Sequence, residues 1–213
     1  MARSKSSGRW LDEHFSDPYV RRAQVEGMRS RAAYKLEELI ERDHLLRPGM
    51  VIVDLGAAPG GWSQVAQDRL KGKGRVIALD ILEMAPLSGV EFIHGDFTQE
   101  TVLQQLEQTL AGAQVDLVLS DMAPNMSGVP SVDQARSMRL AELALDFARR
   151  HCKRGGGFLV KLFQGEGFDG FIKDVRAAFD RLHLRKPKAS RGRSREIYAL
   201  GTGFRANLSP GTD

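Results

Sequence analysis

At 213 residues, 42% hydrophobic and 27% charged, the chain can bury one substantial core, and no apolar run approaches the ~20 residues of a membrane span. The basic N-terminus, Met1 to Arg9, lacks the hydrophobic stretch of a secretory signal. One cysteine, Cys152, excludes an internal disulfide and points to a reducing, cytoplasmic compartment, and five histidines without paired ligand spacing argue against a zinc site.

The net charge of +4 hides an asymmetry. Residues 1–47 carry +2, residues 48–152 carry −5 and residues 153–213 carry +7. Seven basic residues and no acid fall within 181–195: Arg181, Arg185, Lys186, Lys188, Arg191, Arg193 and Arg195. An acidic centre with basic flanks suits a cofactor pocket beside a polyanion-binding surface. The plain alternative is a solvated loop.

In chain order, residues 1–17 read as a basic, loosely attached segment, 18–205 as a single domain and 206–213 as a tail. The spacing of Ala32, Leu36, Leu39 and Ile40 predicts a helix over 29–46, closed by Pro48-Gly49. A strand over 50–55 runs into a glycine turn and a helix over 61–70. Strands follow at 75–80 and 90–96, a helix at 99–110 and a strand at 115–121. Ser131-Val132-Asp133-Gln134 has capping-box form and opens a helix to about 150. A strand at 157–163, a helix at 168–179 and extended segments at 182–187 and 196–202 complete the chain. Near-continuous apolar strands alternating with helices predict an α/β fold with a mostly parallel sheet covered on both faces. The last two strands lack an intervening helix and are expected to pair antiparallel at one edge.

The turn after the first strand, Gly56-Ala57-Ala58-Pro59-Gly60-Gly61, is the most informative stretch. A dinucleotide fingerprint starting at Gly56 needs glycine at 58, and Ala58 stands there, so a pyrophosphate has no place against the backbone. Pro59 stiffens the turn. The turn suits a nucleoside ligand without a diphosphate, for which S-adenosylmethionine is the candidate. Asp54, Asp80, Asp96 and Asp121 each end a predicted strand, at the edge where open α/β sheets bind ligands. Asp80 lies 20 residues beyond Gly60, a spacing that suits ribose hydroxyls, because a carboxylate is acceptor-only. Asp96 is placed to accept from an adenine amino group. Strand-end aspartates also start turns, which is the plain reading of any one of them.

With a methyl donor assumed, Lys161 draws attention because it interrupts an apolar strand. Methylating a ribose 2′-hydroxyl requires its proton to leave as the methyl arrives, and a lysine can take it. Lys35 offers a second positive charge, Asp121 an orienting carboxylate, and Glu196 a partner for a lysine. For Lys161 the alternative is a snorkelling strand-end side chain, and for Lys35 and Glu196 ordinary surface ion pairs.

The segments D-L-G-A-A-P-G-G-W-S-Q, D-M-A-P-N, F-L-V-K-L-F, R-S-R-E-I-Y and S-R-A-A-Y-K-L together resemble the FtsJ/RrmJ ribose 2′-O-methyltransferases, from about residue 8 to 203. The resemblance implies a Rossmann-like class I S-adenosylmethionine-dependent fold, with a seven-stranded, mostly parallel sheet and one antiparallel edge strand. It implies a catalytic tetrad on Lys35, Asp121, Lys161 and Glu196. Donor-binding positions fall on Gly60, Trp62, Asp80, Asp96 and Asp121. The nearest likeness is to the short bacterial members, which methylate a uridine ribose in large-subunit (23S) ribosomal RNA. That implies ribosomal RNA as partner, with neither metal nor membrane, and a monomer. Basic residues of 181–195 and the N-terminal segment would hold phosphates; Trp10, Tyr19 and Phe168 are stacking candidates, with core packing the commoner fate.

Rival chemistries lack their residues. A base-amine methyltransferase needs an aromatic where Asn125 follows Pro124. Attack on pyrimidine C5 needs a thiolate, and Cys152 ends a predicted helix away from the ligand edge. A messenger-cap or transfer-RNA ribose methyltransferase could use the same tetrad, although the chain has little length for a cap-binding element. A catalytically silent RNA-binding protein would not need Lys161 and Asp121. Phosphate-loop and serine-hydrolase motifs are missing.

Overall fold

A computed structural model describes residues 17–192 and 194–206. The basic segment before residue 17, including Trp10, lies outside the described residues, as do Arg193 and the tail from 207.

Seven strands form one sheet: β1 (Met50–Leu55), β2 (Gly74–Asp80), β3 (Val90–His94), β4 (Val115–Ser120), β5 (Cys152–Phe163), β6 (Phe179–Arg185) and β7 (Glu196–Phe204). Their order is β3-β2-β1-β4-β5-β7-β6. The pairs among β1 to β5 are parallel, and β7 runs antiparallel to both β5 and β6. The two final strands thus pair antiparallel at one side of the sheet, as their missing helix predicts. The order reverses between β1 and β4, and a crevice opens there outside the carboxyl ends of the strands.

The near-continuous apolar strands follow from burial on both faces. On β1, Ile52 joins Leu36, Leu39, Trp62, Leu159 and Tyr198 in one core, while Val53 and Leu55 join Leu106, Phe147 and Phe158 in the other. The first face is covered by α2 (Ala32–Asp43) and α3 (Gly61–Leu70), the second by α4 (Glu100–Leu110), α5 (Pro130–His151) and α6 (Phe168–Ala178).

Four local expectations are corrected. The helix predicted over 29–46 is shorter, because His44 takes the left-handed conformation at φ 51° and ends α2 at Asp43, before Pro48 is reached. An unforeseen helix, α1 (Pro18–Glu26), precedes it; Asp17 accepts from the Tyr19 amide, Pro18 occupies the first turn and Gly27 closes it at φ 70°. β5 starts at Cys152 rather than 157, with a register irregularity opposite Val115 and Leu117. The capping box does not form: α5 begins at Pro130, two residues before a Ser131 cap would start it, and Val129 at the cap position supplies no side-chain acceptor. Asp133 turns back instead to the amides of Ser127 and Gly128, and Gln134 donates to the carbonyls of Phe163 and Glu166.

Candidate active site

The glycine turn joins β1 to α3 over the switch point. Gly56 has φ 79°, and a Cβ there would lie 2.7 Å from Met122 Cγ. Gly60 has φ 104°, and a Cβ there would meet Met84 Sδ at 2.8 Å, so both positions demand glycine. Arg29 holds this region from the side, donating to the carbonyls of Pro59 (3.3 Å), Ala85 (2.6 Å) and Pro86 (2.6 Å).

A cleft of about 420 Å³ opens beside the turn, within the ~300–1,000 Å³ usual for small-molecule sites. Gly56, Asp80, Ile81, Leu82, Phe97 and Asp121 are among its walls. Asp80, 8% exposed at the end of β2, accepts from the amides of Ala58 and Leu82 at 2.9 and 2.8 Å. Those bonds use one oxygen each and fix the carboxylate, which retains capacity for hydroxyl donors.

The other donor-binding candidates sit differently. Asp96 uses Oδ1 to bind its own turn, at the amide and hydroxyl of Thr98, while its neighbours Gly95 and Phe97 line the cleft. Trp62 is 2% exposed; its Nε1 donates to the Ala32 carbonyl at 2.8 Å and its ring packs 5.7 Å from that of Tyr198. Its side chain braces α3 against α2 inside the core and does not line the cleft.

The four tetrad candidates converge. Lys161 Nζ donates to the Asp121 carbonyl at 2.6 Å and lies 3.1 Å from Asp121 Oδ1. Lys35 Nζ lies 2.8 Å from Glu196 Oε1. Tyr198, which the sequence reasoning did not single out, joins the two pairs: its hydroxyl accepts from Lys35 at 3.2 Å and donates to Asp121 Oδ1 at 3.0 Å. The signal lay in strand alternation, since Tyr198 is two residues beyond Glu196 and directly opposite Lys161 on β5. Burial drives the Tyr198 hydroxyl well above its ordinary pKa, helped by Asp121 and Glu196, so it stays protonated and can donate. Burial alone would raise Glu196, but the ammonium of Lys35, with that of Lys161, outweighs it and holds the carboxyl below its ordinary value. The result is a desolvated chain of two cations and two anions, in which each charge has a hydrogen-bonded partner. Asp121 belongs to both halves of the site, since it also lines the cleft.

The fourth strand-end aspartate, expected at the ligand edge, lies beneath the cleft and not on it. Asp54 is fully buried; its Oδ2 accepts from the Ser63 hydroxyl at 2.6 Å, and its Oδ1 has no partner among the described residues. Burial, with Asp121 and Asp80 nearby, pushes this carboxyl up to about 7.

Cys152 lies at the amino end of β5, the edge opposite the cleft, and burial pushes its thiol up to about 12. It is no nucleophile for the site. Of the basic segment, Arg185 is committed to a bidentate bond with Asp43, and Arg191 Nε lies 3.5 Å from Asp17. Lys186, Lys188 and Arg195 are exposed. Tyr19 packs 5.7 Å from Tyr34, and Phe168 packs against the second-face core.

Comparison with known proteins identifies the family to which this fold belongs. The model of the FtsJ-like methyltransferases matches residues 28–204. The chain is 68% identical over 206 residues to a Stenotrophomonas maltophilia protein named ribosomal RNA large subunit methyltransferase E, covering 97% of this chain and 98% of that one. A Xanthomonas campestris pv. campestris protein of the same name is 62% identical over 207 residues, covering 97% and 99%. Among solved structures, a ribosomal RNA methyltransferase from Plasmodium falciparum superposes with a TM-score of 0.74 at 32% identity, covering 83% of this chain and 98% of that one.

Proposed function

The chain belongs to the FtsJ-like methyltransferase family, and from that premise we propose that it transfers a methyl group from S-adenosylmethionine to the 2′-hydroxyl of a uridine ribose in large-subunit ribosomal RNA. The observation that carries this reading is the double position of Asp121, which lines the cleft and also binds Lys161. A donor in the cleft and an acceptor at Lys161 would meet there.

The residues present suit the donor. Asp80 would hold its ribose hydroxyls, Ile81, Leu82 and Phe97 would flank its adenine, and Gly56 lets the ligand lie close to the backbone. When bound, S-adenosylmethionine supplies an electrophilic methyl group on a sulfonium centre. Lys161, reacting as the neutral amine, then takes the proton of the attacking hydroxyl and becomes the ammonium, while Asp121 holds the lysine and Tyr198 holds Asp121. Glu196 balances Lys35 and keeps that ammonium against the Tyr198 hydroxyl. Asp96 and Gly60 shape the cleft through the turns they close, and Trp62 supports α3 from behind. The domain over 18–205 carries this site; the basic segment before it and Lys186, Lys188 and Arg195 supply phosphate contacts.

The test is transfer of labelled methyl to large-subunit ribosomal particles from cells lacking the protein, followed by mapping of 2′-O-methyl nucleotides. One labelled uridine ribose is expected, and label on bases only would refute the reading. Two further outcomes are expected. Asp80→Ala lowers S-adenosylmethionine affinity at least about tenfold by calorimetry and leaves RNA affinity unchanged, because the lost bonds are to a charged acceptor. Lys186→Ala with Lys188→Ala weakens RNA binding and reduces the slope of log affinity against log salt by about 1 to 2, as counterion release from two phosphates requires. An unchanged slope would move the RNA to another surface.

A further inference from the structure

Beside the donor cleft lies a second cavity of about 240 Å³, and Pro124 is a wall of both. Met126, Pro130, Phe163, Gln134 and Arg195 supply further walls. Phe163 follows Lys161 by two residues on β5, so the two side chains leave the sheet on one side, ~6.7 Å apart. Phe163 is also the cross-strand partner of Glu196. A ribose hydroxyl held at Lys161 therefore has this cavity about one strand step away, within reach of the base on the adjoining sugar carbon. The cavity is open on an apolar side chain: Met126 is 71% exposed. An apolar cup with a cation at its edge suits a flat, uncharged ring on a phosphate chain.

Gln134 gives the cavity a polarity. Its Nε2 donates to the carbonyls of Phe163 at 3.1 Å and Glu166 at 2.9 Å. Both amide hydrogens are spent, which fixes which end of the amide is which and leaves Oε1 as an acceptor with no donor on it among the described residues. Asp133, the acidic wall, is already occupied by the Ser127 amide and hydroxyl and the Gly128 amide.

We propose that this cavity receives the base of the acceptor nucleotide, that Gln134 Oε1 accepts the ring N–H of a uracil, and that Arg195 binds a flanking phosphate. The proposal rests on the ribose-methylation reading above. Uracil and cytosine share a shape, but ring position 3 is a donor in uracil and a bare acceptor in cytosine. Cytosine would set acceptor against acceptor at Gln134 and leave both unpaired.

The experiment uses large-subunit particles from cells lacking the methyltransferase, with uridine or, by single exchange, cytidine at the methylated position. Cytidine is expected to lower kcat/KM at least about tenfold. Because that exchange also touches the RNA, a protein variant accompanies it: Met126→Asp, at an exposed position, should raise KM for the uridine particle about tenfold or more with S-adenosylmethionine affinity unchanged. Val25→Asp on α1, at a position 87% exposed, should change neither. Equal methylation of cytidine and uridine, or a wild-type KM for Met126→Asp, overturns the base pocket and leaves ribose methylation standing. Absence of ribose methylation on every particle sinks the function itself.

Discussion

Lys161→Ala is expected to lower turnover by about 10³-fold or more, within the range general bases contribute, while S-adenosylmethionine still binds. Among the described residues the Lys161 side-chain nitrogen makes two contacts, both to Asp121, one to the main chain and one to the carboxylate. Removing it leaves Asp121 bound to Tyr198, and Asp121 is only partly buried, so the fold should survive. The donor binding proposed for Asp80 would not involve β5. Lys161→Arg separates proton transfer from charge, because a guanidinium keeps the positive charge but does not release its proton near neutral pH. If Lys161 takes the proton, the arginine enzyme is as inactive as the alanine one. If it serves only as a positive post for Asp121, the arginine enzyme recovers most of the rate. Single-turnover methylation across pH, with donor affinity by calorimetry and a thermal melt for each variant, distinguishes these outcomes.

What made this site readable was the coincidence of sequence punctuation with sheet topology. Each strand-end aspartate marks the carboxyl edge, and the parallel order of β1 to β4 brings Asp80 and Asp121 to one crevice with Asp54 buried beneath it. Lys161 stood out because a charge within an apolar strand needs a partner, and Asp121 supplies it. Three things escaped for identifiable reasons. Trp62 sits in the glycine motif, but a helix residue one position past the turn faces the core, and one-dimensional spacing does not encode that direction. Tyr198 lay inside a matched segment, but its role depends on being opposite Lys161 across β5 and β7, an antiparallel register no local pattern fixes. Helix α1 buries only Val20 and Ala23, too few for an apolar stripe, although Asp17-Pro18 and Gly27 signal its ends. The capping box failed because a side chain three residues before Gln134 is not an N-cap when Pro130 has already started the helix.

Asp54→Asn is expected to change how stability depends on pH, by an amount comparable to a core truncation. The Asp54 carboxyl is held at about 7 in the folded chain against an ordinary 3.8, chiefly by burial and then by the charges of Asp121 and Asp80, against the hydrogen bond from Ser63. Well below pH 4, at about pH 3 and lower, the group is protonated in both folded and unfolded chains and contributes no pH dependence. Between about 4 and 7 the unfolded chain releases its proton first, so stability falls as pH rises. Above 7 the loss is complete, and the difference of about three pKa units corresponds to roughly 4 kcal/mol. Asparagine has the same shape and no proton to lose, so the variant lacks this slope. It keeps an acceptor for Ser63 but places an amide donor where Oδ1 has no partner, at a cost of about 1–3 kcal/mol that does not vary with pH. The stability difference between the two proteins should therefore move in favour of Asp54→Asn by a few kcal/mol from pH 4 to pH 8. Urea denaturation of both proteins at several pH values measures it. A difference that stays flat over that range would mean that Asp54 is ionised throughout and that its unpartnered oxygen finds a donor in solution. In that case the glycine turn rests on a permanent anion at the start of α3, where the helix dipole favours one, rather than on a neutral acid.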